Sequence, residues 1–474
     1  MIDIASGSYR KGSMIRMHPL FVAFFGFGIG WSNADAAETP NLVLILTDDQ
    51  GYADVGFNGC EDIPTPHIDR IAKEGVRFTN GYVTYPVCSP SRAGMITGRY
   101  QGRFGYRRNP TLNPFDPKAG LPLEEDNMAE ILRKVGYRSG IIGKWHLGTH
   151  PRFRPNARGF DEFYGFVAGG HRYFPKDLIY MDIESVDRKG GWYNTKLLRN
   201  ETRIETDEYL TDELSNEAVD FIRRNRESAF FLYLSYNAPH TPMQASPKYI
   251  DRFVHIDDKL RRTYAAMVSA VDDGVGRVLD TLDELDLAED TLVFFLSDNG
   301  GASNNGSDNG RLREGKGTIY EGGMRVPFAF RWPGRVPAGV DYENPISSMD
   351  ILGTMAALTE VEIAKERPLD GVNLMPYVTG AEKTAPHDLL FWSMFDKEHA
   401  AIRSGSDKLI AMASDQGGDQ LYRLDQDIGE AEDRLKSEKE RAEQLRERLQ
   451  DWEAQLKPAA FDPLGTWDPA KKEK

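Results

Sequence analysis

The chain has 474 residues, of which 40% are hydrophobic, 28% charged and 11% aromatic, with a formal net charge of −15. That length supports a large core, and the composition excludes wholesale disorder. The acidic balance excludes a nucleic-acid binder, because little basic surface remains to neutralise phosphates. Only two cysteines are present, Cys60 and Cys88. No disulfide framework can form, although one bond between the two remains open.

The N-terminus reads as a leader. Arg10, Lys11 and Arg16 precede an apolar stretch over residues 19–31, followed by the small-x-small pattern Ala34-Asp35-Ala36. This is the order of a secretory signal peptide over residues 1–36, too short to span a bilayer. Its removal takes away three basic and two acidic residues and moves the net charge from −15 to −16. A mature chain starting near Ala37, periplasmic or secreted and with no membrane segment, is expected.

Along the chain, four continuous apolar runs alternate with helical patterns. The runs are 41–46, 139–142, 229–234 and 291–296. Helices are expected over 65–73, 127–135, 206–224 and 264–285. Apolar runs without alternation are strands buried on both faces, and strand–helix alternation implies a wound α/β sheet. Each run ends in polar residues: Thr47-Asp48-Asp49, Gly143-Lys144-Trp145-His146, Ser235 to His240, and Ser297-Asp298-Asn299. Ligands of such sheets bind beyond the carboxyl ends of the strands, so these clusters predict one site. From about residue 386 the pattern changes. Four short apolar stretches predict a small antiparallel sheet, and a helix follows with Leu435, Ala442, Leu445, Leu449, Trp452 and Leu456 on one face. Its heptad-like spacing admits a coiled coil; packing on the small sheet is expected. The organisation is therefore a catalytic domain over 37–385 and a C-terminal subdomain over 386–474.

Asp48 and Asp49, with Asp298 and Asn299, form an oxygen-rich set suited to a hard divalent ion, calcium ahead of magnesium. The second Asp-Asn-Gly, at 308–310, follows no strand and reads as loop. Cys88 stands just before a helix start, with Ser89 as cap and Pro90 in the first turn. Exposed N–H groups there favour an anion, which makes Cys88 a low-pKa thiol or, alternatively, a small buried hydrophobe.

The run Cys88-Ser89-Pro90-Ser91-Arg92-Ala93-Gly94-Met95-Ile96-Thr97-Gly98 resembles the signature of the type I sulfatases, whose Cys-x-Pro-x-Arg core directs oxidation of the cysteine to formylglycine. Asp48 to Gly51, Gly143 to Gly148, Ala238 to Pro242, Asp298 to Gly301, Gly315-Lys316-Gly317 and Glu321 to Pro327 are similar to the family's other motifs, in order. The resemblance implies an alkaline-phosphatase-like α/β sandwich, with a large, mixed, mostly parallel central sheet and a small C-terminal antiparallel sheet plus helix. It implies calcium on Asp48, Asp49, Asp298, Asn299 and the modified Cys88. It implies maturation by a formylglycine-generating or anaerobic sulfatase-maturating enzyme. The aldehyde hydrates, one hydroxyl attacks sulfur, and the other later expels sulfate. By the same resemblance Arg92, Lys144 and Lys316 hold sulfate oxygens, His146 assists collapse, and His240 protonates the leaving oxygen, with Lys316 able to share that role. His171 and Arg172 are expected to contact sugar. His67 reads as structural and Cys60 as a free thiol. The expected reaction is hydrolysis of sulfate esters on a sulfated carbohydrate. A phosphodiesterase or phosphonate monoester hydrolase, and a non-catalytic binder of sulfated polymer, are the alternatives.

Overall fold

The segment Asn41–Thr47 is buried at every position. Leu42, Leu44 and Leu46 enter one apolar cluster, and Val43 and Ile45 enter another. A strand covered on both faces must be apolar on both, which is why this run does not alternate in polarity. These features come from a computed structural model that describes residues 39–174, 182–186, 190–463 and 465. The expected leader, residues 1–36, lies outside the described residues.

Asn41–Thr47 pairs in parallel with Phe230–Ser235 on one side and Thr291–Ser297 on the other. Arg138–Lys144 and then Glu162–Phe166 extend the parallel centre. Antiparallel pairings on both flanks complete a mixed sheet of ten strands. Helices Pro66–Lys73, Leu210–Asn225 and Lys259–Glu284 cover one face. Helices Cys88–Thr97, Met128–Arg133 and Asp350–Leu358 cover the other. The result is the expected α/β/α layering. The four expected strands and four expected helices are all present, with ends shifted by a few residues. Strands Val76–Phe78, Glu162–Phe166 and Phe328–Arg331 and helix Asp350–Leu358 were not foreseen.

Near the C-terminus, Leu390–Met394, His399–Ser404, Asp407–Ala411 and Gln420–Arg423 form an antiparallel sheet in sequence order. Its two faces do different jobs. Trp392, Ala401, Ile410 and Tyr422 pack on Tyr82, Tyr85 and Met324 of the larger domain. Ala400, Ile402, Leu409 and Leu421 lie under helix Lys439–Glu453, against Ala442, Leu445, Leu449 and Trp452. Burying each of those leucines contributes roughly 2 kcal/mol. The heptad-spaced stripe is thus consumed within the chain, and the coiled-coil alternative falls away.

His387 ties the two parts together. Its Nε2 lies 2.8 Å from Asp350 Oδ1 at the start of helix Asp350–Leu358. Burial alone would lower its pKa, but Asp350, with help from Asp370 and Asp388, outweighs burial and raises it. A histidine with a raised folded-state pKa adds stability that is complete below its unfolded value and fades as pH rises through the folded one. The stability lost in His387→Gln is therefore expected to be largest below about pH 6 and to shrink as pH rises beyond that. Urea unfolding of both proteins across pH checks this, and a pH-independent gap would contradict it.

Candidate active site

Strand register sets the site. Thr47 stands level with Ser297, and Ser235 stands level with both Leu46 and Gly143. The residues that follow therefore emerge together. Asp49 and His146 leave their strands with φ of 63° and 58°, a left-handed turn that non-glycine residues seldom adopt. Gly143 has φ of 113°, and a Cβ there would sit 1.8 Å from the Ser235 carbonyl oxygen.

Cys88 is the first residue of helix Cys88–Thr97, and Val87 is the cap. Ser89 is not the cap that the sequence led us to expect. Its hydroxyl instead donates to the His146 carbonyl at 2.5 Å and meets the Tyr106 hydroxyl at 2.7 Å. The Cys88 sulfur lies 3.5 Å from Asp48 Oδ1 and 3.3 Å from Lys316 Nζ. Both cysteines are free, so the disulfide alternative is excluded. The low-pKa thiol does not materialise either. Burial pushes Cys88 up to about 12, over the pull of Lys144 and Lys316. As a cysteine it stays a protonated thiol at neutral pH.

Carboxylates and cations alternate around the sulfur. Lys144 Nζ donates to Asp48 Oδ2 at 2.5 Å. Lys316 Nζ lies 2.5 and 2.7 Å from the two Asp49 oxygens. Burial pushes the Asp49 carboxyl up, but Lys316 and His240 outweigh it and hold the group well below the usual range. Asp298 is pushed up to about 6 by burial and the Asp48 charge, against Arg92 and Lys144. Arg92 is fully enclosed. It donates Nε to Asp298 Oδ2 at 2.8 Å and Nη1 to Ser235 Oγ at 2.6 Å and the Lys144 carbonyl at 3.2 Å, while Nη2 lies 2.8 Å from Asp298 Oδ2 as an ion pair without a hydrogen bond. Its fork faces the protein, not the open pocket. Breaking such a buried pair costs about 3–5 kcal/mol.

Asn299 donates Nδ2 to Asp49 Oδ1 at 2.8 Å, and its Oδ1 is buried with no hydrogen-bond partner. Asp48, Asp49, Cys88 and His240 offer ligand atoms that lie within 4.8 Å of one another. Orphaned and anionic oxygens of this kind fit a hard cation.

The two histidines differ. His240 Nδ1 lies 2.6 Å from the Thr241 carbonyl, so it carries the hydrogen, and Nε2 lies 3.7 Å from Asp49 Oδ2. Burial, with Lys144 and Lys316, pulls His240 down to about 4 against Asp49. His146 is fully buried, and its Nδ1 is unpartnered. Burial and the cations Lys144 and Arg92 hold it far below the ordinary histidine range. Gly169 makes room for this ring, since a Cβ there would lie 2.7 Å from His146 Nε2.

His171 and Arg172 part company. His171 is completely buried, with its ring nitrogens 2.8 and 2.7 Å from the Arg172 and Thr195 carbonyls. It braces the loop and presents no surface for the direct sugar contact expected of it. Arg172 is partly exposed. Tyr193, whose ring stacks 6.5 Å from His240, and Asn305, which donates to the Asp49 carbonyl at 3.1 Å, were not singled out by the sequence. Neither sits in a periodic element or a motif. His67 lies at a helix start with its N–H donating to Asp272, and Cys60 bonds Asp62 at 3.3 Å, both away from the site.

The chain is similar to known proteins in sequence and in fold. The sulfatase family model matches residues 40–361, and the model of the N-sulphoglucosamine sulphohydrolase C-terminal region matches 315–455. N-acetylgalactosamine-6-sulfatase of Homo sapiens is 38% identical over 362 residues, covering 73% of this chain and 67% of that protein. Steryl-sulfatase of Rattus norvegicus is 34% identical over 423 residues, covering 74% and 72%. The crystal structure of Ps i-CgsB in complex with k-i-k-neocarrahexaose is 39% identical with a TM-score of 0.83, covering 89% of this chain and 94% of that one. The family model's match over residues 40–361, together with relatives such as the human enzyme, shows that the chain belongs to the sulfatase family and is a sulfuric ester hydrolase.

Proposed function

We propose that this enzyme removes sulfate from a sulfated carbohydrate, with residue 88 acting as formylglycine. The carrying observation is that Lys144, Lys316, His146, His240 and three carboxylates surround Cys88 while burial keeps its own thiol protonated. Cations, histidines and carboxylates gathered around the first residue of Cys88-Ser89-Pro90-Ser91-Arg92 support an oxygen nucleophile at that atom. Hydrated formylglycine supplies one hydroxyl to attack sulfur and a second whose ionisation expels sulfate. Calcium, in preference to magnesium, fits the oxygens of Asp48, Asp49, Asp298 and Asn299, where it would supply positive charge against the sulfate oxygens.

The side chains then divide the work. Arg92 keeps Asp298 oriented and ionised. Lys316 meets the sulfate oxygens from the open side, and Lys144, enclosed against Asp48, offsets charge in the transition state from below. Neutral His146 has a free Nδ1 to take a proton from a residue-88 hydroxyl. His240 has its Nδ1 hydrogen committed to Thr241, so Nε2 carries the mobile proton. A bound sulfate ester adds negative charge beside it and favours that protonation, after which Nε2 delivers the proton to the leaving oxygen. Lys316 holds its proton well above the ordinary lysine range through Asp49, which suits it to binding more than to proton donation.

Support for a sugar substrate comes from two relatives, one named for N-acetylgalactosamine 6-sulfate and one seen with neocarrahexaose. We assign the sugar contact to Arg172, which is partly exposed and whose N–H donates to the Tyr193 carbonyl at 3.0 Å. Among the described residues no helix is long and apolar enough to cross a membrane. The basic, apolar leader supports export to the periplasm or medium after passage by a formylglycine-generating or anaerobic sulfatase-maturating enzyme.

The mature enzyme is expected to prefer an aryl sulfate over an aryl phosphodiester, and Cys88→Ala is expected to lose at least about 10³-fold in kcat/KM. Preference for the diester, or an active Cys88→Ala, would overturn the proposal. N-acetylgalactosamine 6-sulfate and neocarrahexaose are the first sugars to screen. Gly169→Ala pushes a methyl against His146 and is expected to lower kcat about tenfold with little change in KM. Unchanged kcat would show that the ring is not used.

A further inference from the structure

Lys316 is carried on an irregular loop, residues 313–320, that ends where the short helix Glu321–Met324 begins. Glu314 and Gly317 in it both have positive φ, at 59° and 79°. Two backbone bonds tie it to the large domain: Lys316 N–H to the Gly301 carbonyl at 3.0 Å and Gly317 N–H to the Pro86 carbonyl at 2.8 Å. The large domain also reaches it through Asn309 Nδ2, which donates to the Glu314 carbonyl at 3.0 Å, and the Tyr82 hydroxyl, which donates to Glu321 Oε2 at 2.5 Å. Further ties come from the C-terminal subdomain and bracket Lys316 on both sides. Arg313 donates to the Glu430 carbonyl at 2.8 Å and to the Tyr422 hydroxyl at 3.0 Å. Lys397, at a hairpin tip, donates to the Gly317 carbonyl at 2.6 Å. Tyr320 donates to Gln420 Oε1 at 2.9 Å. Glu430 accepts the Glu321 N–H at 2.7 Å, and Lys408 bridges Glu321 and Glu430 at 2.8 and 2.9 Å.

The last three side chains have no exposure. Burying two carboxylates and an ammonium contributes little net stability compared with an apolar filling of the same volume. What such a network does provide is a fixed geometry. Here that geometry is the path of the loop bearing Lys316, whose Nζ must reach both Asp49 and residue 88.

We infer that the C-terminal subdomain positions Lys316, with Lys397 and the Glu430–Lys408–Glu321 triad as positioning residues for hydrolysis. This rests on the reading of Lys316 as a sulfate-binding group. A displacement of about 1 Å at such a group is enough to reduce turnover by one to two orders of magnitude.

Lys397 is exposed, so its variants should fold. In the mature enzyme K397A is expected to lower kcat/KM for an aryl sulfate about fivefold at unchanged melting temperature. K397R, which can still donate to the carbonyl, should restore most of it. Calorimetric binding of inorganic sulfate supplies a readout independent of turnover. K397A should weaken it about fivefold in the wild-type background and not at all once Lys316 is alanine. E430Q, which removes one of the two charges on Lys408, should behave the same way even if it also lowers the melting temperature. A silent K397A, or an equal loss with and without Lys316, would overturn the inference. Should K316A itself bind sulfate and turn over like wild type, the reading of Lys316 would fail first, and the positioning role with it.

Discussion

Three carboxylates, Asp48, Asp49 and Asp298, are brought together where parallel strands end, and the rest of the site compensates that charge. Buried like charges repel strongly at low effective dielectric, and unpaired they would not stay ionised. Arg92 and Lys144 answer them from below, fully enclosed, while Lys316 answers from the half-open side. The unsatisfied Asn299 oxygen marks where more positive charge is accommodated. Arg92, Lys144 and Lys316 match the three carboxylates one for one, so a sulfate ester draws on the further positive charge that a bound cation would supply there. One electrostatic balance thus serves folding and binding.

That balance also explains why burial matters as much as charge. The thiol of Cys88 is enclosed deeply enough that two nearby lysines do not ionise it. His146 and His240 are likewise kept neutral by desolvation and by the cations beside them. Neutral imidazoles are available to accept protons, whereas permanently charged ones would be further unpaired cations. Access is graded: Arg92 and Lys144 are sealed, and Lys316 and His240 reach the opening.

Much of this was legible in the sequence because apolar strands with both faces covered leave an unmistakable pattern, and polar residues at their ends can go to only one edge of the sheet. Asp48, Lys144, His240 and Asp298 were placed that way. Contacts between segments far apart in the chain were not legible. Nothing local says that Arg92 turns its guanidinium to Asp298 and Ser235, or that His171 turns inward to lie against two backbone carbonyls. The flanking strands were missed because three to five residues carry too little pattern, and Tyr193 because its single 3-10 turn, Gly191–Asn194, is too short to leave one. Val87 rather than Ser89 caps the helix, and the serine hydroxyl lies inside its first turn, where it donates to the His146 carbonyl.

The central claim is that residue 88 works as something other than cysteine. Mass spectrometry of the peptide spanning residues 88–92, from protein made alongside a maturation enzyme, tests it directly. The account predicts a peptide whose mass corresponds to a side chain that has exchanged sulfur for oxygen and lost two hydrogens, in proportion to sulfatase activity across preparations. An active preparation in which residue 88 is entirely unmodified cysteine would contradict it.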